Sequence, residues 1–225
     1  MGPTRSLLDP VRSLSNQSTG VMGAHLAWEA FCRGYDATIV MGPCSEVRPA
    51  DLPRGFTKIS VNTAQEMRSA VLSHWPSAFA YLGAAAVLDW DVQNFQNAKI
   101  KKTQTHALSL DLKPNPDILA EVTKLAKPGQ WILGFAAETN DLEESAIEKL
   151  TRKGCHFLFA NPPLFGEQKT EGRFLKRDPA THKITQRVFS TASKETVAKL
   201  LFDEMEQTWN INQGGIHLSS REVLV

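Results

Sequence analysis

Short apolar runs of strand length alternate with amphipathic stretches of helical length along most of this chain, and that alternation constrains the fold more than any other feature. Residues 21–33 carry Met22, Leu26 and Ala30 at four-residue spacing and run into Gly34, a helix stop. Residues 37–41 follow as an apolar run closed by Gly42 and Pro43, the pattern of a buried strand. Residues 58–61 predict a second strand. Thr63 and Glu66 predict a capping box that opens a helix with Met67, Ala70, Val71 and Trp75 facing inward. Strands are predicted at 78–83 and 106–112, and a helix at 116–127 with the stripe Ile118, Leu119, Val122, Leu125 and Ala126. A strand at 131–135, a helix at 141–153 and a strand at 156–160 complete the series. A helix between successive strands makes a crossover, so the pattern predicts a parallel sheet covered on both faces.

The last quarter breaks the rhythm. Residues 172–177 and 183–189 are strand-like, and 178–182 between them hold turn residues, which predicts an antiparallel hairpin. A helix at 194–209 buries Val197, Leu200, Leu201 and Met205, and 210–225 read as a polar, loosely held tail. The fold class is therefore α/β: a three-layer, Rossmann-like, mostly parallel sheet with helices on both faces and a C-terminal antiparallel hairpin. No repeat or linker divides 1–209, so a single domain is expected. With 25 basic and 24 acidic residues the net charge is +1, so neither nucleic acid nor a membrane surface is an expected partner. The longest apolar run, 78–88, is about half of the ~20 residues that span a bilayer. Cys32, Cys44 and Cys155 show no CxxC spacing, which suggests neither a disulfide framework nor zinc and fits a reducing cytoplasm.

Open parallel sheets bind ligands beyond the carboxyl ends of their strands, which directs attention to those loops. Ser15, Asn16, Gln17, Ser18, Thr19 and Gly20 stand directly before the first helix. Small residues there let backbone N–H groups approach an anion at the positive end of the helix dipole, although an ordinary Ser/Thr cap would look the same. Arg12 and Asn16 could hold a carboxyl or phosphoryl oxygen, or could be structural. Gly83, Ala84, Ala85 and Ala86 leave room for a flat ring, with Asp89 able to accept from ribose hydroxyls; close helix–sheet packing also favours alanine. Lys99 and Lys101 share one side of an extended segment, which suits an intervening anion or a solvated edge. Lys149 and Lys153 lie one turn apart with no acid four residues N-terminal to either, unlike Glu148 and Arg152, and so read as a phosphate clamp. Glu138 and Asn140 read as caps of that helix, with a magnesium role for either as the alternative. The six histidines show no HxH or HExxH grouping, so no protein metal site is expected, and there is neither a GxGxxG nor a Tyr-xxx-Lys pair. Together these residues describe a triphosphate-sized anion held by dispersed lysines, with a slot for a base.

Several strings, in order, resemble the phosphopantothenoylcysteine synthetase family (phosphopantothenate–cysteine ligase, bacterial CTP-dependent type). They are residues 2–5 (Gly-Pro-Thr-Arg), 8–12 (Leu-Asp-Pro-Val-Arg), Ser15-Asn16 and Ser18-Thr19-Gly20, then 83–89, 99–102, 115–118, 134–140 and Ala160-Asn161. The resemblance implies a ligase of coenzyme A biosynthesis that joins 4′-phosphopantothenate to L-cysteine through an acyl-cytidylate, consuming CTP with Mg2+ and releasing pyrophosphate and CMP. It implies Asn16, Arg12 and Lys99 as catalytic residues: Asn16 on the acyl-cytidylate, Arg12 in amide formation and Lys99 on the nucleotide phosphates. Gly83, Ala84, Ala85, Asp89, Lys99, Lys113, Pro114, Asn115, Pro116, Phe135, Lys149 and Lys153 would form the nucleotide site, with Ser18, Thr19 and Gly20 as a phosphate loop. No flavin is expected. A homodimer is implied, and the hairpin at 172–189 is a place for partner contact.

Two departures bear on the expectation. Relatives carry a hydrophobic strand before Gly-Pro-Thr-Arg; here the chain starts at Met1, so that central strand is expected to be missing. Val21 stands where bacterial relatives carry a basic residue before Met-Gly. The alternatives are a nicotinamide-dependent reductase and a degenerate relative that serves as a binding subunit, the second resting on the missing strand.

Overall fold

The computed structural model describes residues 1–102, 107–138, 142–164, 166–179, 181–213 and 221–225, with the backbone only at 210–213. In chain order the elements are β1 (Gly2–Pro3), β2 (Arg5–Leu7), β3 (Ser13–Ser15), α1 (Val21–Cys32), β4 (Asp36–Met41), β5 (Thr57–Ser60), α2 (Ala64–His74), β6 (Ala80–Gly83), β7 (Ala85–Ala86) and β8 (Trp90–Val92). They continue with β9 (Leu112–Pro114), α3 (Ile118–Lys124), β10 (Trp131–Ala137), α4 (Leu142–Lys153), β11 (Phe157–Asn161), β12 (Lys169–Arg177), β13 (Ile184–Ser193), α5 (Lys194–Gln213) and β14 (Glu222–Leu224). Eight strands form the central sheet in the order β13-β12-β11-β10-β6-β14-β4-β5. It is parallel from β11 to β5, while β12 and β13 add an antiparallel hairpin at one edge. The α/β fold with its C-terminal hairpin is the one the alternation predicts.

Each face of the sheet carries its own apolar layer. On one face Leu26, Ala27 and Ala30 of α1 pack with Val197, Leu201, Phe202 and Met205 of α5. On the other, Met67 and Val71 of α2, Ile118 and Val122 of α3, and Ala146 and Leu150 of α4 pack together. Arg33 clamps the first layer: its guanidinium bonds Glu29, Asp203 and Glu206, each at 2.6 Å. The capping box of α2 forms as predicted, with Thr63 Oγ1 accepting from Glu66 N at 3.2 Å.

Several elements differ from expectation. The helix predicted at 116–127 is cut to Ile118–Lys124, because Asp117 caps it by accepting from Ala120 N at 3.1 Å, and Leu125 is left exposed beyond its end. The strand predicted at 106–112 starts only at Leu112; His106 lies outside the described residues. Asp141, where a helix start was expected, and the proposed cap Asn140 also lie outside them, as does Ala180 of the hairpin turn.

The largest correction concerns the tail. Of 210–225, residues 214–220 lie outside the described set, but Glu222–Leu224 form β14 in the middle of the sheet, parallel to β4 on one side and β6 on the other. Val223, Leu224 and Val225 are buried. The sequence V-L-V is apolar and β-branched at two of three places, which suits a central strand. The slot expected to be empty is therefore filled, which removes the ground for reading this chain as a degenerate relative.

Candidate functional site

A cavity of about 730 Å³ opens beyond the carboxyl ends of β6, β10 and β11, a size ordinary for a small-molecule site. Gly83 and Ala84 form its floor where β6 ends, Phe135 and Ala137 come from β10, and Asn161 ends β11. The cavity lies where the strand-end rule for parallel sheets directs the search for a ligand. A depression of about 790 Å³ between α4 and β12 lies elsewhere; it is a shallow surface spanned by the Arg173–Glu143 ion pair at 3.1 Å and lacks converging strand ends.

The N-terminal string builds one wall. β1 pairs in parallel with β7, placing Gly2 opposite Ala85 and Pro3 opposite Ala86. Leu88 N donates to Thr4 Oγ1 at 3.0 Å, and Asn16 Nδ2 donates to Ala86 O at 2.9 Å. Gly42 allows this crossing: a Cβ there would lie 1.7 Å from Pro3 O. Asn16, Ser18, Thr19 and Gly20 line the cavity and lead into α1. Gly20 is the N-cap at φ +86°, and no side chain caps the helix, so the plain Ser/Thr-cap reading of this loop does not hold. A Cβ at Gly20 would meet Cys44 Sγ at 2.3 Å, so glycine is required both by φ and by space.

The base-slot residues and the lysine pair line the same cavity. Gly83, Ala84, Ala85, Asp89, Asn115, Pro116, Phe135, Lys149 and Lys153 are brought together there. Asn115 locks two loops, its N–H donating to Asp89 O at 2.8 Å and its Nδ2 to Leu88 O at 3.0 Å. The lysines are not uncompensated, as their own helix suggests, because acids arrive from other elements. Lys149 Nζ is 3.2 Å from Glu138 Oε1, and Lys153 pairs with Asp117. Burial lowers the pKa of Lys153, with Asp89 and Cys155 pulling the other way.

Arg12, Lys99, Lys113 and Pro114 are not in the cavity wall. Arg12 instead pairs with Asp9 at 3.5 Å and donates to Ile100 O. Asp9 in turn accepts from Ile100 N at 3.0 Å. Burial alone would raise the Asp9 pKa, but the N–H groups of Ile100, Val11 and Arg12 and the Arg12 guanidinium hold it below the usual value. The pair thus fastens the segment containing Lys99 to the β2–β3 hairpin, and Lys99 itself is exposed. Lys113 lies 3.8 Å from Asp91 on the β8–β9 hairpin, where Pro114 pairs with Trp90. Conversely, Phe159, Asn161, Thr170 and Lys194 line the cavity unforeseen. Asn161 was recoverable from its place at a strand end; Lys194 gives no local signal.

Residues 1–208 match the DNA/pantothenate metabolism flavoprotein C-terminal domain family. The chain belongs to this family. The coenzyme A biosynthesis bifunctional protein CoaBC of Escherichia coli K12 is 39% identical over 209 residues, which is 91% of this chain and 50% of that protein. CoaBC of Borreliella burgdorferi is 34% identical over 200 residues, covering 88% of this chain and 50% of that one. The chain therefore spans about half the length of these curated relatives. A crystal structure of the C-terminal domain of CoaBC matches with a TM-score of 0.75 and 28% identity over 93% of both chains. A Cab2 mutant in complex with phosphopantothenate-cysteine matches at a TM-score of 0.72 and 16% identity, covering 95% of this chain and 86% of that one, a likeness of fold. Among the described residues, no helix is long and apolar enough to cross a membrane.

Proposed function

We propose that this domain is a phosphopantothenate–cysteine ligase of coenzyme A biosynthesis that works through an acyl-cytidylate made from CTP. The observation that carries the reading is the convergence, in one cavity, of Asn16 and the start of α1, the small-residue slot at Gly83–Ala85 beside Phe135, and the Lys149/Lys153 pair. The CoaBC relatives and the phosphopantothenate-cysteine bound to the Cab2 mutant support it.

The chemistry sets demands that this arrangement can meet. A carboxylate must attack the α-phosphorus of a triphosphate, and two anions repel until cations lower the charge between them. Lys149 and Lys153 release Glu138 and Asp117 when a polyphosphate displaces those acids. Pyrophosphate leaves, and the acyl group stays bound to the cytidylate phosphate. The Asn16 amide, already directed across the strand ends to Ala86 O, is placed to hold the mixed anhydride in position. The cysteine amine then attacks the acyl carbon, an amide forms and CMP departs. Among the described residues no three acidic, imidazole or thiol groups converge on a metal position. Magnesium, which binds few carboxylates and several phosphate oxygens, would come in on the nucleotide as part of the substrate. The pairing of two such domains as a homodimer, and a cytoplasmic location, belong to the same reading.

The test is pyrophosphate release from this chain with 4′-phosphopantothenate and each of the four nucleoside triphosphates, with and without cysteine. Release with CTP that needs the acid, followed by amide formation when cysteine is added, is expected. Absence of release with every nucleotide would overturn the proposal.

A further inference from the structure

The ligase chemistry leaves one buried phenol at the cavity floor without a task. Tyr81 stands two residues before Gly83 on β6, so its side chain leaves the strand on the face that Gly83 keeps bare. The ring covers that bare position: a Cβ at Gly83 would come within 2.9 Å of Tyr81 Cε1 and 3.3 Å of Cζ, the carbon that carries the hydroxyl. The phenol therefore runs along the strand toward the carboxyl end of the sheet, and Tyr81 lines the cavity together with Gly83. The body of the ring belongs to the core. It meets Trp75 edge-on at 6.3 Å, and the residue is 5% exposed.

A buried tyrosine hydroxyl ordinarily finds a hydrogen-bond partner. The other tyrosine of the chain does so, Tyr35 Oη bonding Glu206 Oε1 at 3.0 Å, and so does Trp75, whose Nε1 donates to Val122 O at 3.0 Å. Tyr81 differs: burial alone raises its pKa, with no hydrogen bond or charge contributing. Among the described residues, the side-chain polar atoms that lack a partner and are also sealed from solvent are Trp131 Nε1 and Trp209 Nε1. The unpartnered Tyr81 hydroxyl is not one of these, so it keeps an open side, and the open space that Tyr81 borders is the cavity. Its proton stays on at neutral pH, which lets it donate one bond and accept another.

The surroundings narrow what such a group can bind. Tyr81 packs in the same layer as Ile118 of α3 and Leu150 of α4, on the side of the sheet that carries the lysine pair. Lys149 and Lys153 suit phosphate oxygens, to which a neutral hydroxyl adds little by comparison. Gly83, Ala84 and Ala85 offer no polar side chain, and Phe135 offers only a ring. A flat heterocycle on that slot gains contact on its faces and still needs hydrogen bonds at its edge. We propose that Tyr81 is a specificity-determining residue of the slot, its hydroxyl bonding the polar edge of the nucleotide base held over Gly83. The identity of the ligand rests on the ligase reading, whereas the free hydroxyl rests on geometry. Gly83 belongs to the same device, because any side chain there would displace the phenol.

Tyr81→Phe removes the hydroxyl and keeps the ring against Trp75. The full chain and this variant are compared by calorimetric titration of the four nucleoside triphosphates and CMP, and of ribose 5-phosphate and inorganic tripolyphosphate, which lack a base. Pyrophosphate release with 4′-phosphopantothenate is followed in parallel. The variant is expected to bind CTP and CMP about fivefold to tenfold more weakly, and the two baseless probes within about twofold of wild type. The KM for CTP should rise by the same factor with kcat nearly unchanged, since the base stays bound throughout the reaction. Its melting temperature should be equal or higher, because an unpaired buried hydroxyl adds nothing to folding. Unchanged CTP affinity in the variant, or an equal loss for the baseless probes, would overturn the assignment, as would a wild-type chain that binds none of the four nucleotides. If the wild type binds CTP, the variant loses it selectively and neither releases pyrophosphate, the ligase reading falls while the role of Tyr81 stands.

Discussion

Met1 stands two ladder positions beyond Val225 in the same line of the central sheet. In a parallel ladder, a residue opposite position i donates to i−1 and accepts from i+1. Val225 N donates to Thr38 O at 3.0 Å and Val225 O accepts from Val40 N at 2.9 Å, so Val225 lies opposite Ile39. The Met1 amine donates to Val40 O, and Met1 O accepts from Gly42 N at 3.0 Å, so Met1 lies opposite Met41. β14, Met1 and β1 therefore trace a single strand line with one residue place open between its two halves. The half contributed by β14 saturates the facing edges of β4 and β6, and the half contributed by β1 delivers Gly-Pro-Thr-Arg to the cavity wall.

Removal of 222–225 should consequently be far more damaging than trimming a tail. Val223 and Leu224 are 0% and Val225 is 2% exposed. Full burial of such side chains contributes roughly 1.5–3 kcal/mol each, against a total stability of about 5–15 kcal/mol. The shortened chain is expected to lose its cooperative thermal transition and to aggregate, as followed by circular dichroism and light scattering. A monodisperse truncated protein that melts where the full chain does would contradict the role given to β14.

The one-place gap makes a sharper prediction. Bridging Val225 to Met1 with one residue, and opening the chain between Gln213 and Arg221, should give a protein of the same fold with an equal or higher melting temperature. Two- or three-residue bridges should melt lower, because the extra length must bulge out of a paired central strand. If bridge length made no difference to melting, the register derived above would be wrong.

Much of this was legible in the sequence, because local signals and tertiary outcome agree. The alternation of periods gave the layers, Thr63 and Glu66 gave the start of α2, and Gly34 gave the stop after α1. The β14 strand was not, since a lone V-L-V is too short for its period to be read, and its pairing partners lie more than 140 positions back in the sequence. The lysine pair was readable from spacing on α4, but its partners Glu138 and Asp117 come from other elements and leave no local trace. Lys194 was silent for the same reason: burial of a helix-opening lysine is decided by what packs over it.

Loss of Lys153 should expose the cost of its partner. Asp117 pairs with Lys153 and caps α3 at the same time. Lys153→Met leaves that carboxylate facing the incoming triphosphate, so repulsion adds to the lost attraction, and CTP should bind about tenfold to a hundredfold more weakly. Adding Asp117→Asn should recover part of the binding by removing the repulsion while keeping a capping side chain. Calorimetric titration of CTP into the two variants decides the matter; a double variant no better than the single one would show that Asp117 does not face the nucleotide.

His156 should make stability fall in mild acid. Its Nδ1 accepts from Ile132 N at 3.2 Å and its ring lies 5.0 Å from that of Trp131, so burial, helped by the nearby Arg177 charge, pushes its pKa down to about 4 from 6.5. Between these values the unfolded chain takes up a proton that the folded chain refuses. The stability contribution is therefore complete above pH ~6.5 and drains away as pH falls to ~4, on the order of 3 kcal/mol in all. The buried Met1 amine, lowered to about 5 from 8.0 by burial, acts with the same sign between those values. His156→Gln keeps an acceptor but cannot titrate, and it leaves the amine untouched, so the difference between variant and wild type isolates the imidazole. Urea unfolding at pH 7 and pH 4.5 should show a distinctly smaller loss for the variant, and equal losses would mean that the ring is not held in its neutral form.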